Sequence, residues 1–217
     1  DRPLQTRYSI NNGCSVTLAD NQYDELGRLQ SDRRNGSASL ATEYSYNLHG
    51  MPTRISTPLY TESLFYEQPH NGSTPQYGGN ISAIDWSVAD ESDTYGKRGY
   101  TFSYDGMSRL TAAAYLENGK LNNHFSTYYK YDIMGNILSL RREGLLDSGD
   151  YGTIDDLTYS YEGNQVVKID DAADESPSYS GAMHFRDAAN EETEYTYDAN
   201  GNMLTDSNKG ITSIDYN

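Results

Sequence analysis

One nine-residue pattern recurs along this chain and constrains its fold more than any other feature. It reads aromatic, any residue, Tyr, Asp, two variable residues, Gly, Asn, aliphatic, and its fullest copies are 195–203 (YTYDANGNM) and 129–137 (YKYDIMGNI). Partial copies are 23–29 (YDELGRL), 44–50 (YSYNLHG), 102–110 (FSYDGMSRL) and 159–164 (YSYEGN), and a degenerate unit is 77–86 (YGGNISAIDW). A pattern repeated this often predicts a tandem array of one supersecondary unit.

Each copy has the chemistry of a β-hairpin. Residues two apart in a strand share a face, so Thr193, Tyr195 and Tyr197 would line one side of the sheet. Asp is favoured at the first turn position, and Gly supplies the positive φ that follows a type I turn. In the two fullest copies this turn signature consists of Asp132, Gly135, Asn136, Asp198, Gly201 and Asn202.

Two copies depart from the pattern within the turn itself. The copy at 159–164 lacks two residues, which predicts a tighter turn with Gly163 in the left-handed conformation. In the copy at 102–110 the glycine has moved from the fourth turn position to the second. We therefore expect a different turn geometry there.

The composition supports strands and turns. The chain has 21 Tyr against 4 Phe and 1 Trp, together with 19 Gly, and tyrosine suits half-buried strand positions. We predict one all-β domain over residues 1–217, a curved and mostly antiparallel sheet of successive hairpins. Residues 1–22 would be a lead-in segment, and residues 23–217 the repeats. Loop insertions are predicted near 57–76, 88–98, 144–156 and 170–194.

The charge of the chain excludes several partners. A formal charge of −16, from 32 acidic and 16 basic residues, repels nucleic acid and anionic membrane surfaces. The acidic runs 147–156, 170–175 and 191–194 are expected to be solvated loops. No hydrophobic run approaches the roughly 18 residues that span a bilayer, so membrane insertion is not expected. The single cysteine, Cys14, cannot form an internal disulfide and lies in no reactive motif.

The motifs YDANGNML, YDIMGNIL and YDGMSRL resemble the YD repeats of the Rhs family, from about Tyr23 to the C-terminus. The unit 79–86 is similar to versions found in surface and secreted proteins of the Bacteroidetes. The resemblance implies a spiralling β-sheet that closes into a hollow shell. In bacterial polymorphic toxins and insecticidal toxin complexes such shells enclose a C-terminal toxin, and in animal teneurins a related barrel serves adhesion.

The chain also departs from the family. It has too few repeats to close a shell, no Asp-Pro dipeptide at which toxin could be cut off, and no downstream toxin segment. We therefore expect an arc of shell wall, a structural segment of a secreted or cell-surface protein. Its partners would be the rest of its own parent chain, with a possible enclosed toxin, and unpaired sheet edges predict self-association through edge strands.

Two kinds of chemical site, a calcium loop and a pair of catalytic carboxylates, could use the same aspartates as the turn. Asp198, Asn200 and Asn202 place oxygens at alternating positions, as in a calcium loop, but the twelfth position is Lys209 rather than Glu. A hairpin turn explains the same residues in every repeat. A glycosidase pair could be drawn from Asp85, Asp105, Asp132 and Asp198, but these aspartates recur whereas a catalytic pair is singular.

The histidines, His49, His70, His124 and His184, show neither metal nor triad spacing. We expect no catalytic residue, no metal and no cofactor. The tyrosine face leaves a second function open, because aromatic rings beside Asn and Asp can bind sugars. Carbohydrate binding or adhesion is thus the alternative, with candidate stacking residues Trp86, Tyr104, Tyr131, Tyr161 and Tyr197.

Overall fold

The computed structural model describes residues 2–11, 13–89 and 96–216, and within them the regular structure is almost wholly β. The strands are β1 (Gln5–Tyr8), β2 (Val16–Tyr23), β3 (Leu29–Arg34), β4 (Ala41–Tyr46), β5 (Pro52–Ser56), β6 (Tyr60–Phe65), β7 (Ala83–Val88), β8 (Arg98–Tyr104), β9 (Leu110–Glu117), β10 (Lys120–Leu121), β11 (Thr127–Tyr131), β12 (Ile137–Leu145), β13 (Tyr151–Glu162), β14 (Gln165–Asp171), β15 (Tyr195–Tyr197) and β16 (Met203–Asp206). Short 3₁₀ helices lie at Ala38–Leu40, Ser180–Ala182 and Ser207–Lys209. The all-β prediction is confirmed.

The strands of the main sheet follow one another in chain order. The order runs from β1 to β9 and then from β11 to β14, with β10 on β9, while β15 and β16 form a separate two-stranded sheet. Neighbouring strands pair antiparallel, as in β2 with β3 and β13 with β14. Successive hairpins therefore build the sheet, as the repeat predicts.

The same irregularity recurs in five hairpins. In each, the register of the pair shifts immediately before a repeat tyrosine. That tyrosine pairs with the first residue of the return strand in four hairpins and with the second residue in the hairpin of Tyr161. The pairs are Tyr23 with Leu29, Tyr46 with Pro52, Tyr131 with Ile137, Tyr161 with Val166 and Tyr197 with Met203. A shift of this kind is a β-bulge, which bends and twists the strand locally.

The chain divides into two compact units, one of Asp1–Phe102 with Leu116–Leu121 and one of Ser103–Tyr115 with Asn122–Asn217. In the first unit Ala83 and Ser82 are fully buried and Tyr66 nearly so. In the second unit a small apolar cluster joins Leu146, Ile154 and Ala182. The largest fully buried side chains are three carboxylates of the second unit, Glu194, Asp155 and Asp206.

Several predicted loops are wrong. The insertion at 57–76 contains β6, which pairs with both β5 and β7. The insertion at 144–156 is mostly strand, because β12 runs to Leu145 and β13 begins at Tyr151. Of the insertion at 88–98, residues 90–95 lie outside the described residues. The insertion at 170–194 is largely free of strands, since β14 ends at Asp171 and β15 begins at Tyr195.

Two further expectations need correction. The acidic runs are not all solvated, since Asp155 and Glu194 are fully buried and accept hydrogen bonds from backbone amides. Residues 1–22 are more than a lead-in, because β1 and most of β2 belong to the sheet. Both errors arose because strand pairing at long range decides burial, whereas charge and motif spacing are local signals.

Candidate functional site

A five-residue turn with one hydrogen-bonding scheme closes five of the hairpins, and we call it the YD turn. The YD turns occupy residues 24–28, 47–51, 105–109, 132–136 and 198–202. In each, the amide of the first residue donates to the carbonyl of the fifth at 2.8–3.0 Å, and the amide of the fourth donates back to the carbonyl of the first at 2.8–3.3 Å. The two bonds fix both ends of the turn.

The side chain of the first residue completes the YD turn. Asp or Asn oxygen Oδ1 accepts the amide of the fifth residue at 2.8–2.9 Å in all five copies, for example from Arg28 to Asp24 and from Met51 to Asn47. In repeats that carry Asp, the second oxygen Oδ2 accepts from the side chain of the fifth residue, Arg or Asn, at 2.6–2.8 Å. The signature residues Asp132, Gly135, Asn136, Asp198, Gly201 and Asn202 all lie in these turns.

The copy at 105–109 has the same geometry as the others, so the expectation of a different turn there was wrong. The amide of Ser108 donates to the carbonyl of Asp105, and the amide of Arg109 donates to Oδ1 of Asp105. Ser108 takes the fourth position with φ 61, where Gly135 has φ 98 and Gly201 has φ 85. The aspartate bonds therefore hold the turn even without glycine at the left-handed position.

The tighter turn predicted after Tyr161 is confirmed. Glu162 pairs with Gln165, which leaves a two-residue loop of Gly163 and Asn164. Gly163 has φ 63, in the left-handed region that favours glycine.

The electrostatics of the turn aspartates follow from these donors. The amide of the fifth residue lowers the pKa of Asp24 and Asp105, and the Asn136 side chain does the same for Asp132. For Asp198, the side chain and amide of Asn202 and the amide of Asn200 donate to the carboxylate and lower its pKa. Among the described residues no group of three or more His, Cys, Asp or Glu is placed to hold a metal ion.

The repeat tyrosine just before a turn ties one hairpin to the hairpin before it, and we call it a linking tyrosine. Its hydroxyl donates at 2.7–3.2 Å to the backbone carbonyl of a residue that, in most copies, directly follows the preceding turn. The bonds run from Tyr46 to Leu29, Tyr66 to Pro52, Tyr131 to Leu110, Tyr161 to Ile137, Tyr197 to Val166 and Tyr216 to Met203, with Tyr23 bonding Pro3 in the same sense. Burial raises the pKa of Tyr46, Tyr131 and Tyr197, so the neutral, donating phenol is favoured.

The fifth turn residue forms a second connection between neighbouring repeats. Arg28 donates through Nη1 to the carbonyl of Asn47 at 3.0 Å, and Arg109 does the same to Asp132 at 2.7 Å. Each guanidinium also lies 4.8 Å from the ring centroid of the next linking tyrosine, Tyr46 or Tyr131. Such a cation–π contact contributes about 0.5–1 kcal/mol at an exposed site.

The candidate sugar-stacking residues belong to different strands. Tyr131, Tyr161 and Tyr197 already use their hydroxyl groups to bond backbone carbonyls, and the Arg109 guanidinium lies over the ring of Tyr131. Burial raises the pKa of Tyr104 on β8. Trp86 on β7 stacks on Tyr100 with ring centroids 5.8 Å apart.

Sequence reasoning missed one linking tyrosine and one structural site. Tyr66 is followed by Glu67 without the Gly-Asn signal, so it did not stand out. The missed site lies on the insertion 170–194, where residues 182–186 form what we call the covering segment. Buried Asp155 accepts the amide of Phe185 at 2.6 Å and pairs with Arg142, whose Nη atoms donate to the carbonyls of Ala182 and Met183.

Two carboxylates of this insertion, Glu194 and Asp187, accept hydrogen bonds from the edge of β14. Oε2 of Glu194 accepts the amide of Ile169 at 3.1 Å, and Oδ2 of Asp187 accepts the amide of Asp171 at 3.2 Å. The amide of Glu194 donates to the carbonyl of Val167 at 2.8 Å. Carboxylates and one backbone amide thus take the place of a further strand along this edge.

Comparison with known proteins adds a likeness of fold. No protein-family model and no curated protein matches the chain. The structure of the Photorhabdus luminescens Tc holotoxin pore, with a mutation in TccC3, matches with a TM-score of 0.50 and 14% identity over 91% of this chain and 10% of that chain. Crystal structures of TcdB2-TccC3-Cdc42 and TcdB2-TccC3-TEV have a TM-score of 0.37, with 14% and 15% identity, covering 94% of this chain and 11% of theirs.

The chain therefore spans about a tenth of the length of the structures it matches. At this identity the first likeness concerns the fold. No helix within the described residues is long and apolar enough to cross a membrane.

Proposed function

We propose that this chain is a structural segment of a larger Rhs-type protein, secreted or held at the cell surface, and that its hairpins form part of a β-shell wall. The observation that carries the proposal is the linking tyrosine: the hydroxyl groups of Tyr46, Tyr131, Tyr161 and Tyr197 each bond a backbone carbonyl of the preceding hairpin. A wall needs such contacts between successive units. The fold shared with part of the Tc holotoxin pore supports the same role.

The N-terminal part of the described chain has the contacts of the repeat. The Arg2 guanidinium lies 5.8 Å from the ring centroid of Tyr23, whose hydroxyl donates to Pro3. Arg28 and Leu29 make the same two contacts to Tyr46. This equivalence supports a wall in which each hairpin is held by both of its neighbours.

In the parent protein this wall would enclose a C-terminal segment, as the resemblance to Rhs proteins implies. The turn aspartates are saturated by amides and by Arg or Asn side chains, which leaves them structural. We therefore propose a non-catalytic role for the segment itself, with the remainder of the parent chain as its partner.

Protease protection of the full-length parent protein tests this proposal. The segment that follows the repeats should survive added protease in the folded protein and be digested once urea opens the wall. The same segment expressed alone is the control and should be digested without urea. Equal digestion of the segment alone and within the folded parent would overturn the proposal.

Carbohydrate binding is a second candidate, and one specific feature favours it. Tyr151 is 45% exposed, its ring stacks on His124 at 3.7 Å between centroids, and among the described residues its hydroxyl has no hydrogen-bond partner. Asn122, Arg141 and Asp150 line the same shallow cavity. Aromatic rings beside planar polar groups suit sugar rings, whereas most linking tyrosines direct their hydroxyl groups to the backbone.

Calorimetric titration with polysaccharides tests this candidate. A saturable signal that Tyr151→Ala removes, and that Tyr179→Ala leaves unchanged, would support a sugar site at the β12–β13 hairpin. Loss of the signal in Trp86→Ala instead would indicate that the sugar binds at the stacking residues predicted from the sequence, which include Trp86. No saturable heat with any polysaccharide would exclude both positions.

A further inference from the structure

A cavity of about 680 Å³ lies in the second unit, between the sheet and the covering segment. Leu140 and Leu157 of the main sheet and Tyr195 of β15 line one side, and Phe185 of the covering segment lines the other. Leu157 and Tyr195 are buried. Small-molecule sites are about 300–1,000 Å³ in volume. This cavity falls in that range, and its lining combines apolar with charged side chains.

The cavity is held open by bonds that the chain makes to itself. Asp155 is 1% exposed and accepts the amide of Phe185, while Arg142 donates to the carbonyls of Ala182 and Met183. Met183 adopts φ 51, a left-handed conformation that is uncommon outside glycine. These contacts fix the covering segment at a set distance from the sheet, so a ligand would enter a preformed space.

The charges around the cavity do not cancel. Arg142 pairs with Asp155, and Lys209 pairs with Asp206 at 2.8 Å. Arg186 also lines the cavity, is exposed, and has no ion-pair partner among the described residues. Among the charged side chains that line the cavity, the positive charges thus exceed the negative ones by one.

We propose that the cavity binds a small ligand with an apolar body and a single carboxylate. The apolar body lies between Leu140, Leu157 and Phe185, and the carboxylate pairs with the Arg186 guanidinium at the mouth. A planar guanidinium can donate two parallel hydrogen bonds to a carboxylate, which gives the site its preference for an acid over a neutral analogue. The proposal holds whether or not the segment belongs to a shell wall.

Calorimetric titration of the 217-residue chain with phenylbutyrate, and with phenylbutanol as its neutral analogue, tests the charge. We expect saturable binding of the acid and at least about tenfold weaker binding of the alcohol, the factor that about 1.4 kcal/mol represents. Arg186→Gln should lower the affinity for phenylbutyrate to that for phenylbutanol. Arg34→Gln removes the same charge at an exposed position of the first unit, and should leave the affinity unchanged.

A second variant tests the cavity itself. Leu140→Trp fills the space, and should abolish binding of both compounds while far-ultraviolet circular dichroism and thermal unfolding show a folded chain. Should Leu140→Trp not fold, Leu140→Phe serves the same purpose with less added volume. Absence of saturable binding by the acid, equal affinity for acid and alcohol, or unchanged binding in Arg186→Gln would each overturn the proposal. Protease protection of the parent chain depends on none of these results.

Discussion

The YD turns and the covering segment hold the chain by opposite means. In a YD turn the carboxylate lies at the surface, and its bonds reach residues two and four positions along the chain, as from Asp132 to Met134 and Asn136. At the covering segment the carboxylate is buried, and the bonds of Asp155 and Arg142 join residues 30 to 41 positions apart. The first arrangement is repeated, and the second occurs within a single insertion.

The difference lies in what each carboxylate stabilises. A turn aspartate stabilises a hairpin that strand pairing and neighbouring repeats also stabilise. Substituting the aspartate should therefore lower the free energy of unfolding only slightly. Asp155 is the buried hydrogen-bond acceptor for a guanidinium and a backbone amide. An uncompensated charge in the interior is costly. Substitutions in the covering segment should therefore have larger effects than equivalent substitutions in the repeats.

The largest effect is expected from Asp155→Ala. Removing the buried carboxylate leaves the half-buried Arg142 charge and the Phe185 amide without their acceptor, which costs about 3 kcal/mol. Urea denaturation should show this loss, with faster hydrogen exchange at the Phe185 amide. Asp156→Ala removes an exposed carboxylate from the adjacent position and should change stability by less than about 0.5 kcal/mol. Similar losses in both variants would contradict the role of the buried pair.

Glu194→Ala should have the next largest effect, about 2 kcal/mol, because the amide of Ile169 and the side chain of Asn208 lose their acceptor. The loss is smaller than for Asp155 because Oε1 of Glu194 is itself buried without a partner in the described residues. Hydrogen exchange at Ile169 measures the effect directly. Glu192→Ala, at an exposed position, is the control, and protection of Ile169 that survives in Glu194→Ala would refute this assignment.

Tyr131→Phe should destabilise the second unit by about 1 kcal/mol, since the carbonyl of Leu110 loses one hydrogen bond while the ring is kept. The midpoint of urea unfolding reports this change. Tyr128→Phe removes a hydroxyl that bonds only the Asn123 side chain, and we expect a smaller shift. A larger shift in Tyr128→Phe than in Tyr131→Phe would show that the linking bond has no special weight.

Substitutions at the fourth turn position should change stability in opposite directions. Gly135→Ala places a Cβ at φ 98 and should destabilise by about 1 kcal/mol. Ser108→Gly relieves a serine at φ 61, and its gain should be smaller because glycine increases the entropy of the unfolded chain. Thermal unfolding of both variants measures these changes. A shift of the unfolding midpoint in the same direction for both variants would count against a shared turn geometry.

The smallest effect is expected from pH. The turn aspartates have a lowered pKa in the folded chain, so the stability they contribute is present above their unfolded pKa of about 3.9 and is lost as the pH falls through the folded pKa. Asp198→Asn keeps the Oδ1 acceptor, as Asn47 does in its own turn. Urea denaturation from neutral pH to below pH 4 should show a shallower loss in this variant than in the unsubstituted chain.

The hairpins could be predicted from the sequence because their signals are local. A tyrosine, an aspartate and a left-handed residue within six positions specify a turn, and the predicted strands beside them are present. Ser108 was misjudged because glycine was taken as essential, whereas the aspartate bonds suffice to hold the turn. The linking bonds were not predicted, since a backbone carbonyl acceptor has no signature in residue type.

The buried carboxylates could not be predicted for a different reason. Asp155 is one of ten residues in an acidic run, and nothing in that run marks it as interior. Its burial follows from the pairing of β12 with β13, which places it opposite Arg142, and from a covering segment about 30 residues downstream. Such long-range pairing is not visible in charge or spacing.

The acceptors of the linking tyrosines have a consequence for how such arrays change over time. Leu29, Pro52, Leu110, Ile137, Val166 and Met203 have little in common as side chains, yet each supplies the same backbone oxygen. The linking hydrogen bond is therefore specified by residue type on one side only. Duplication, deletion or exchange of units that keep the tyrosine should leave this bond intact while the residue that supplies the carbonyl diverges.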